Sequence, residues 1–146
     1  MGIAVLEGYE LVFWGIMGFR SVSQKALLYA VERRLESLIH IYQPQVLAEE
    51  QPSAVRMKAS PMLGEIAGRV SSVALASLLC YRIVSPKNVR LRLCGSRKTS
   101  RRAMAEYIIS QYPHLGRYHR CVSQWQRSYW MPMFTAVAVG LVCGRE

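Results

Sequence analysis

The sequence predicts an α/β fold in which helices pack on a mixed sheet. Short apolar runs rich in β-branched residues alternate along the chain with segments of helical periodicity. Of the 146 residues, 51% are hydrophobic and 19% are charged, a balance typical of a globular protein with a buried core. A chain of this length suits one domain, which we expect to span residues 1–146.

The first two apolar runs are expected to pair as an antiparallel hairpin. Residues 2–6 and 11–16 are apolar, and the segment between them carries Gly8 in the turn. From residue 23 to residue 42 the apolar positions follow a helical period, and Ser23 is a suitable N-cap. A helix is therefore predicted to follow the hairpin.

A third strand is predicted at residues 46–50, and it ends in two adjacent carboxylates, Glu49 and Glu50, shortly before Pro52. Ligands of open α/β sheets bind at the carboxyl ends of strands, so this position suits a metal-binding or catalytic carboxylate. The alternative is structural: one glutamate caps the next segment and the other is solvated, as most charged side chains are.

The middle of the chain is predicted to contain a loop, a helix and two strands. Residues 53–60 are polar and basic, which indicates a loop, and Pro61 then begins a helix that extends to about residue 79. This helix is apolar nearly all round, so we expect it to be buried. Residues 81–85 and 89–93 have the pattern of strands, and in the second one apolar residues alternate with arginines.

The last third of the chain is predicted to contain two helices. A basic loop at residues 94–102 leads into a helix at about residues 101–112, whose cap is a hydroxyl side chain. Residues 113–127 are polar and are predicted to form a loop. The final run, about residues 129–143, is small and apolar, which favours a buried helix, although its β-branched content leaves a strand open.

The net charge of +10 is concentrated in one segment. Residues 85–127 contain ten Lys or Arg and a single acid, Glu106, whereas the rest of the chain is close to neutral. Such a segment is typical of a protein with a polyanionic partner, most often nucleic acid, and a merely solvated basic face is the alternative. The candidates for phosphate contacts are Arg56, Lys58, Arg97, Lys98, Arg101 and Arg102.

Cysteine usage and the apolar runs indicate a cytoplasmic protein with no membrane partner. The longest apolar runs, residues 70–80 and 131–143, are too short to span a bilayer. No two cysteines form a C-x-x-C pair, so they are expected to be reduced residues of a cytosolic protein. They are Cys80, Cys94, Cys121 and Cys143.

Two histidines and three aromatic residues have alternative interpretations. His114 and His119 would suit a metal, but no Cys or acid accompanies them at ligand spacing, which favours surface histidines. Trp125, Tyr129 and Trp130 lie among arginines and would suit stacking on the bases of unpaired or junction DNA. Packing in the core or at its rim explains these aromatic residues equally well.

Several of these segments resemble, in the same order, the RuvC-type Holliday junction resolvases, which are metal-dependent nucleases with an RNase H-like fold. The matching segments are GIAVLEG (2–8) with ELV (10–12) for the second and third strands, PQVLAEEQ (44–51) for the fourth strand, LGEIAG (63–68) for the central helix, residues 93–102 for the DNA-holding strand and loop, and MFTAVAVG (133–140) for the last helix. The resemblance implies an RNase H-like mixed sheet flanked by helices, in which the family's first, central strand has no counterpart.

In that family, two divalent cations held by three or four carboxylates cleave the phosphodiester. The resemblance places the catalytic glutamate at Glu50, because Gln51 follows it as in the family, with Glu49 as the fallback. In the preferred register of the resemblance, Thr135 lies where the family has an aspartate, and a register shifted by one or two residues places Met133 or Met131 there instead. All nine acids of this chain are glutamates. Of the family's metal-binding carboxylates, Glu50 alone is expected to remain. Magnesium is expected only if the site is functional.

The resemblance and the basic segment together imply binding of structured or branched DNA by a resolvase-like domain with an incomplete nuclease site. One alternative is an active Mg²⁺-dependent junction endonuclease whose true N-terminus is longer. Another is a non-enzymatic protein–protein module that dimerises through its apolar helices. Members of the family are typically dimers, so the resemblance also implies a homodimer.

Overall fold

The computed structural model describes residues 1–20, 23–120 and 123–145. Within these ranges the chain has the predicted α/β character. The helices and strands, in chain order, are β1 (Gly2–Glu7), β2 (Glu10–Ile16), α1 (Gln24–Tyr42), β3 (Val46–Glu50), α2 (Ala54–Ala59), α3 (Pro61–Ala76), β4 (Cys80–Val84), α4 (Pro86–Cys94), α5 (Arg101–Gln111), a 3₁₀ turn (Pro113–Leu115), α6 (Gly116–His119) and α7 (Gln124–Gly144).

The chain forms two compact units. The first unit combines Met1–Met17 with the chain from Val84 onward, and the second unit is Gly18–Ile83. The strands pair two by two: β1 is hydrogen-bonded to β2, and β3 to β4. The assignment of residues 1–146 to one domain stays a prediction.

In the first unit, β1 and β2 form the predicted antiparallel hairpin. Gly8 adopts a left-handed φ of 59° in the two-residue turn, a conformation that costs a residue without a Cβ little. The pairing is regular from Gly2 opposite Ile16 to Val5 opposite Phe13, and it then shifts by one residue at Leu6. This irregularity has the form of a β-bulge, which increases the local twist of the hairpin.

Helix α7 is the central helix of the first unit. It packs against β1, β2, α4 and α5. Its buried side chains are Met133, Phe134, Val137, Ala138, Val139, Leu141 and Val142. The hairpin lies directly on its backbone, because a Cβ added at Gly2 would overlap the carbonyl group of Pro132 and one added at Gly140 would overlap the Leu6 side chain. The prediction of a buried final helix is therefore correct, although this helix begins earlier than expected.

The predicted strand at residues 89–93 is wrong, because this segment lies in helix α4. The Ser85 hydroxyl accepts a hydrogen bond from the Asn88 amide at 3.3 Å, and Pro86 occupies the first turn. Gly95 ends the helix with a left-handed φ of 77°. Val89 and Leu93, one helical turn apart, are both buried. The alternating arginines imitated a strand, but the helix start and stop signals on either side of the segment decide its structure.

The predicted loop at residues 113–127 is also wrong in large part. It contains the 3₁₀ turn, α6 and the first residues of α7. Leu115 is fully buried, so this segment contributes to the core of the first unit. The Ser123 hydroxyl accepts a hydrogen bond from the Gln126 amide at 3.2 Å and caps α7.

The second unit is built on a pair of helices. Ser23 caps α1 as predicted, accepting a hydrogen bond from the Ala26 amide at 3.2 Å. Helix α1 packs on α3, and Arg69 and Glu32 form an ion pair between them at 3.1 Å. The side chains buried in this unit are Val31, Leu35, Leu38, Val70, Val73 and Ala74. Strand β3 follows α1 as predicted, and the Gln45 carbonyl accepts from the Cys80 amide at 3.0 Å.

Two predictions for the second unit need correction. The segment at residues 53–60 was predicted as a loop but contains the short helix α2, because the Ser53 hydroxyl accepts from the Arg56 amide at 3.3 Å. Helix α3 ends at Ala76, and it is not buried all round: Leu75 is 66% exposed. Apolar composition alone therefore overestimated how much of this helix is covered.

None of the helices in residues 1–20, 23–120 and 123–145 is both long and apolar enough to cross a membrane. Cys80 and Cys94 are free cysteines. Cys121, which was expected to be reduced as well, lies outside the described residues.

The contact between Gly2 and α7 predicts a large effect of one methyl group. The Gly2→Ala substitution should lower the free energy of unfolding by about 1–3 kcal/mol, because the new Cβ would displace the hairpin from the rigid backbone at Pro132. Urea denaturation followed by circular dichroism measures the change. Gly15→Ala is the matched control in β2, since nothing lies within 4 Å of its added Cβ. Equal stability of both variants would contradict the close packing of β1 on α7.

Candidate nucleic-acid interface

The basic segment contributes four exposed cations around the start of α5. Arg97 and Lys98 lie in the loop before the helix, and Arg101 and Arg102 in its first turn. All four side chains are exposed, as the prediction of phosphate contacts requires. They surround the positive end of the helix dipole, which also favours an anion.

Hydrogen bonds within the loop hold the backbone that carries these cations in a compact turn. The Lys98 amide donates to the Ser96 hydroxyl at 3.2 Å, and the Thr99 hydroxyl donates to the Ser96 carbonyl at 2.9 Å. The Ser100 hydroxyl accepts from the Ala103 amide at 3.1 Å, so Ser100 is the cap of α5. The loop is thus a compact turn, which reduces the conformational entropy lost when its side chains bind an anion.

Few acids neutralise this surface. Arg102 pairs with Glu106 at 3.0 Å, and the His119 Nε2 atom lies 3.8 Å from the same carboxylate. Across residues 1–20, 23–120 and 123–145, no carboxylate lies within ion-pairing distance of Arg101 or Arg127. Uncompensated positive charge therefore remains at the start of α5.

An open cavity of about 440 Å³ lies beside these cations in the first unit. Its lining residues are Arg101, Arg102, His119, Gln124, Arg127, Ser128 and Met131. Sequence reasoning identified only two of its arginines as site residues, because it placed the start of the last helix too late. Ser123 is a typical N-cap residue, and it indicates that α7 begins at Gln124. With this earlier start, the first turn of α7 would have been included in the predicted site.

Aromatic side chains continue from the cavity along α7. The rings of Trp125 and Tyr129 are nearly parallel, with centroids 5.9 Å apart and an angle of 22° between their planes. Tyr129 contacts the edge of Trp130, whose ring lies 4.5 Å from that of Tyr118. Of the two interpretations of these residues, packing accounts for Trp130, whereas Trp125 is 74% exposed.

The two histidines have different surroundings. The His114 ring lies 4.8 Å from the ring of Trp14. The His119 side chain is only 15% exposed and meets Phe134 edge-on, so its interpretation as a surface histidine is wrong. It lies at the wall of the cavity, beside the Glu106 carboxylate.

The other two predicted phosphate contacts lie in the second unit. Arg56 and Lys58 are exposed on α2. Helix α2 packs on α3, so it presents both cations on a short but supported helix. The six candidate cations are therefore divided between the two units, four in the first and two in the second.

The two carboxylates at the end of β3 have different surroundings. Because side chains alternate along a strand, Glu49 and Glu50 project to opposite faces. The Tyr81 hydroxyl on β4 donates a hydrogen bond to the Glu49 carboxylate. Burial raises the pKa of Glu49, and the hydrogen bond from Tyr81 partly opposes that rise. Burial, the hydrogen bond to Glu49 and its charge all raise the pKa of Tyr81.

The residues present do not fit a pair of magnesium ions. In the part of the chain that the structure describes, no three His, Cys, Asp or Glu side chains come together as possible ligands. Thr135 lies half-buried on α7 and offers a hydroxyl where magnesium favours a carboxylate. No aspartate occurs in the sequence, and Glu146 lies outside the described residues.

Comparison with known proteins identifies the fold. The structure is similar to that of Thermus thermophilus RuvC, with a TM-score of 0.71 and 17% sequence identity, over 97% of this chain and 83% of that chain. It is also similar to T. thermophilus RuvC in complex with a Holliday junction substrate, with a TM-score of 0.72 and 15% identity over the same shares. No family model and no curated protein matches the sequence.

The chain therefore has a RuvC-like α/β fold, which confirms the fold class that the sequence resemblance implied. At 15–17% identity the likeness establishes the fold and not the activity.

The pKa of Glu49 gives the stability of the protein a defined pH dependence. The folded state binds this proton more tightly than the unfolded chain, so stability falls as pH rises from about 4.5 through the raised folded-state pKa. Glu49→Gln keeps an acceptor for Tyr81 but has no proton to lose. It should therefore be more stable than the wild type above this window, by at most about 1 kcal/mol because solvent screens a half-exposed carboxylate.

Urea denaturation at a series of pH values from 4 to 8 measures this difference. Tyr81→Phe is the matched comparison: it removes the hydrogen bond that favours the charged carboxylate, so the pH dependence should become steeper. A Glu49→Gln variant whose stability follows the wild type at every pH would contradict the assignment.

Proposed function

We propose that this protein binds structured or branched DNA through the exposed cations at the start of α5, as a resolvase-like domain that does not cleave its substrate. One observation carries the proposal: four exposed cations lie around the start of α5 on a RuvC-like fold. Among the described residues, Arg101 has no carboxylate partner. The RuvC structure in complex with a Holliday junction substrate supports the choice of branched DNA.

The physical basis of the proposal is the release of counterions from DNA. Each phosphate that a Lys or Arg neutralises releases condensed cations, which adds about 0.9 to the salt dependence of binding to duplex arms. Contacts of this kind position a protein on the backbone and carry no sequence information. A protein that recognises the shape of a junction requires contacts of this kind, because every junction arm presents the same backbone.

The small number of candidate metal ligands supports DNA binding without cleavage. A two-metal nuclease requires several converging carboxylates, and Glu50 is the one residue that the resemblance assigns to this role. We interpret Glu50 as the remnant of such a site and Thr135 as a position where the carboxylate has been replaced. In this proposal the chain is a degenerate relative of the RuvC-type resolvases, and it binds the two-fold symmetric junction as a homodimer.

Replacement of three of these cations should weaken junction binding in a salt-dependent way. We expect the combined substitutions Arg97→Gln, Lys98→Gln and Arg101→Gln to lower the slope of log K against log salt by about 2–3, since each lost phosphate contact removes about 0.9. Fluorescence anisotropy of a labelled four-way junction, measured at several NaCl concentrations, gives this slope.

A charge-matched variant serves as the control. Arg20→Gln, Lys25→Gln and Arg33→Gln remove the same charge from exposed positions of the second unit and should leave the slope unchanged. Equal losses in both variants would reduce the proposal to a general charge effect. Absence of salt-sensitive affinity in the wild type would overturn it in favour of a protein–protein module, and Mg²⁺-dependent cleavage of the junction would overturn the absence of nuclease activity.

A further inference from the structure

The first turns of α7 carry an exposed aromatic pair beside the basic cavity. Trp125 is 74% exposed and Tyr129 is 45% exposed, and their rings lie nearly parallel, 5.9 Å apart. Single exposed apolar residues are common on protein surfaces. A stacked pair that adjoins a cavity with three arginines is a more specific feature, because aromatic faces and cations together match the two parts of a nucleotide.

Packing contacts hold the inner ring of this pair in position. Tyr129 meets Trp130 at a centroid distance of 5.0 Å and an angle of 87°, which is the preferred edge-to-face arrangement. Trp130 in turn packs on Tyr118, and the Arg117 guanidinium lies 4.8 Å from the centre of the Tyr118 ring. A ring that is fixed in the free protein loses little entropy on binding, which makes it a good stacking surface.

The aromatic pair and the cavity occupy neighbouring faces of one helix. Gln124, Ser128 and Met131 line the cavity together with Arg127, at the spacing of one helical face. Trp125 and Tyr129 each follow a cavity residue by one position, so their face is adjacent to it. A ligand that spans both faces would place an anionic group among the arginines and a flat ring on the aromatic pair.

We propose that the start of α7 binds an unpaired nucleotide of a DNA strand. Its phosphate lies among Arg101, Arg102 and Arg127, and its base stacks on the Trp125–Tyr129 pair. Gln124 and Ser128 supply neutral hydrogen-bonding groups at the wall of the cavity. The inference rests on the proposed function, which names DNA as the ligand. It adds that this site binds the unpaired bases of a branched DNA.

The geometry favours a single strand over a duplex at this site. The bases of a duplex are already stacked on one another, so only their edges reach a protein surface and no base face is free for the aromatic pair. An unpaired base has a free face for Trp125. Because every base has such a face, the site should tolerate different sequences. The cavity volume lies within the range of about 300–1,000 Å³ that is typical of ligand sites.

An abasic oligonucleotide separates stacking from charge. The probe is a fluorescein-labelled thymidine oligomer, and its comparison is an oligomer with the same number of phosphates but abasic sugars. Trp125→Ala should weaken binding of the thymidine oligomer at least about fivefold and leave binding of the abasic oligomer unchanged. Trp125→Phe, which keeps an aromatic face, should restore most of the loss. Arg127→Gln should weaken binding of both probes and lower the salt slope by about 0.7.

Two controls exclude indirect effects. Tyr29→Ala removes an aromatic side chain that is 62% exposed on α1, outside this site, and should change neither affinity. The urea midpoint of Trp125→Ala should equal that of the wild type, because most of this side chain is already in water.

The outcomes distinguish failure of this inference from failure of the proposed function. If Trp125→Ala binds the thymidine oligomer as the wild type does, or loses affinity equally for the abasic oligomer, stacking at α7 is refuted while salt-sensitive junction binding still stands. If the wild type binds neither the junction nor the thymidine oligomer, the proposed function fails together with this inference.

Discussion

The close packing of the β1–β2 hairpin on the backbone of α7 is the constraint on which the first unit depends. Gly2 and Gly140 allow this approach, because a Cβ at either position would overlap Pro132 or Leu6. With the hairpin against one side of the helix, Met133 and Phe134 are fully or almost fully buried. Pro132 lacks an N–H and cannot donate to the helical ladder, so packing from outside supports α7 where its own hydrogen bonding is interrupted. Helix α7 is therefore held in one orientation, with Arg127 at the cavity and Trp125 on the neighbouring face of the helix.

The chemistry of the chain is divided between its two units. The first unit presents the exposed cations around the start of α5, the cavity and the aromatic pair, whereas the second carries Glu49 and Glu50 on β3. Glu49 accepts a hydrogen bond from Tyr81 and holds its proton more tightly than a solvated carboxyl does. A proton competes with a metal ion for a carboxylate, so a raised pKa narrows the pH range over which the group can bind a cation. The similarity to RuvC extends to the fold, and the sequence has no aspartate.

Sequence reasoning identified the elements whose local signals and burial agree. The hairpin, α1 and β3 were predicted correctly because the Gly8 turn, the Ser23 cap and the apolar periods all pointed to the same structure. It failed at α4, where arginines that alternate with Val89 and Leu93 imitate a strand although Ser85, Pro86 and Gly95 mark a helix. The exposed cations around α5 could be predicted, since charge is visible in composition. The cavity could not, because it depends on residues that are distant in sequence, such as His119 and Arg102, meeting across packed helices.

The two halves of the proposed α7 site respond differently to salt, and this difference determines what the protein selects. The phosphate contribution of Arg101 and Arg127 weakens as salt rises, because each released counterion gains less entropy in a more concentrated salt solution. The stacking contribution of Trp125 involves no charge and persists. Phosphate contacts are common to paired and unpaired DNA, whereas stacking requires an unpaired base. Raising the salt therefore removes the part of the affinity that does not discriminate and leaves the part that does. In the proposed site, cations bring the protein to DNA, and an exposed aromatic pair makes the unpaired base its preferred target.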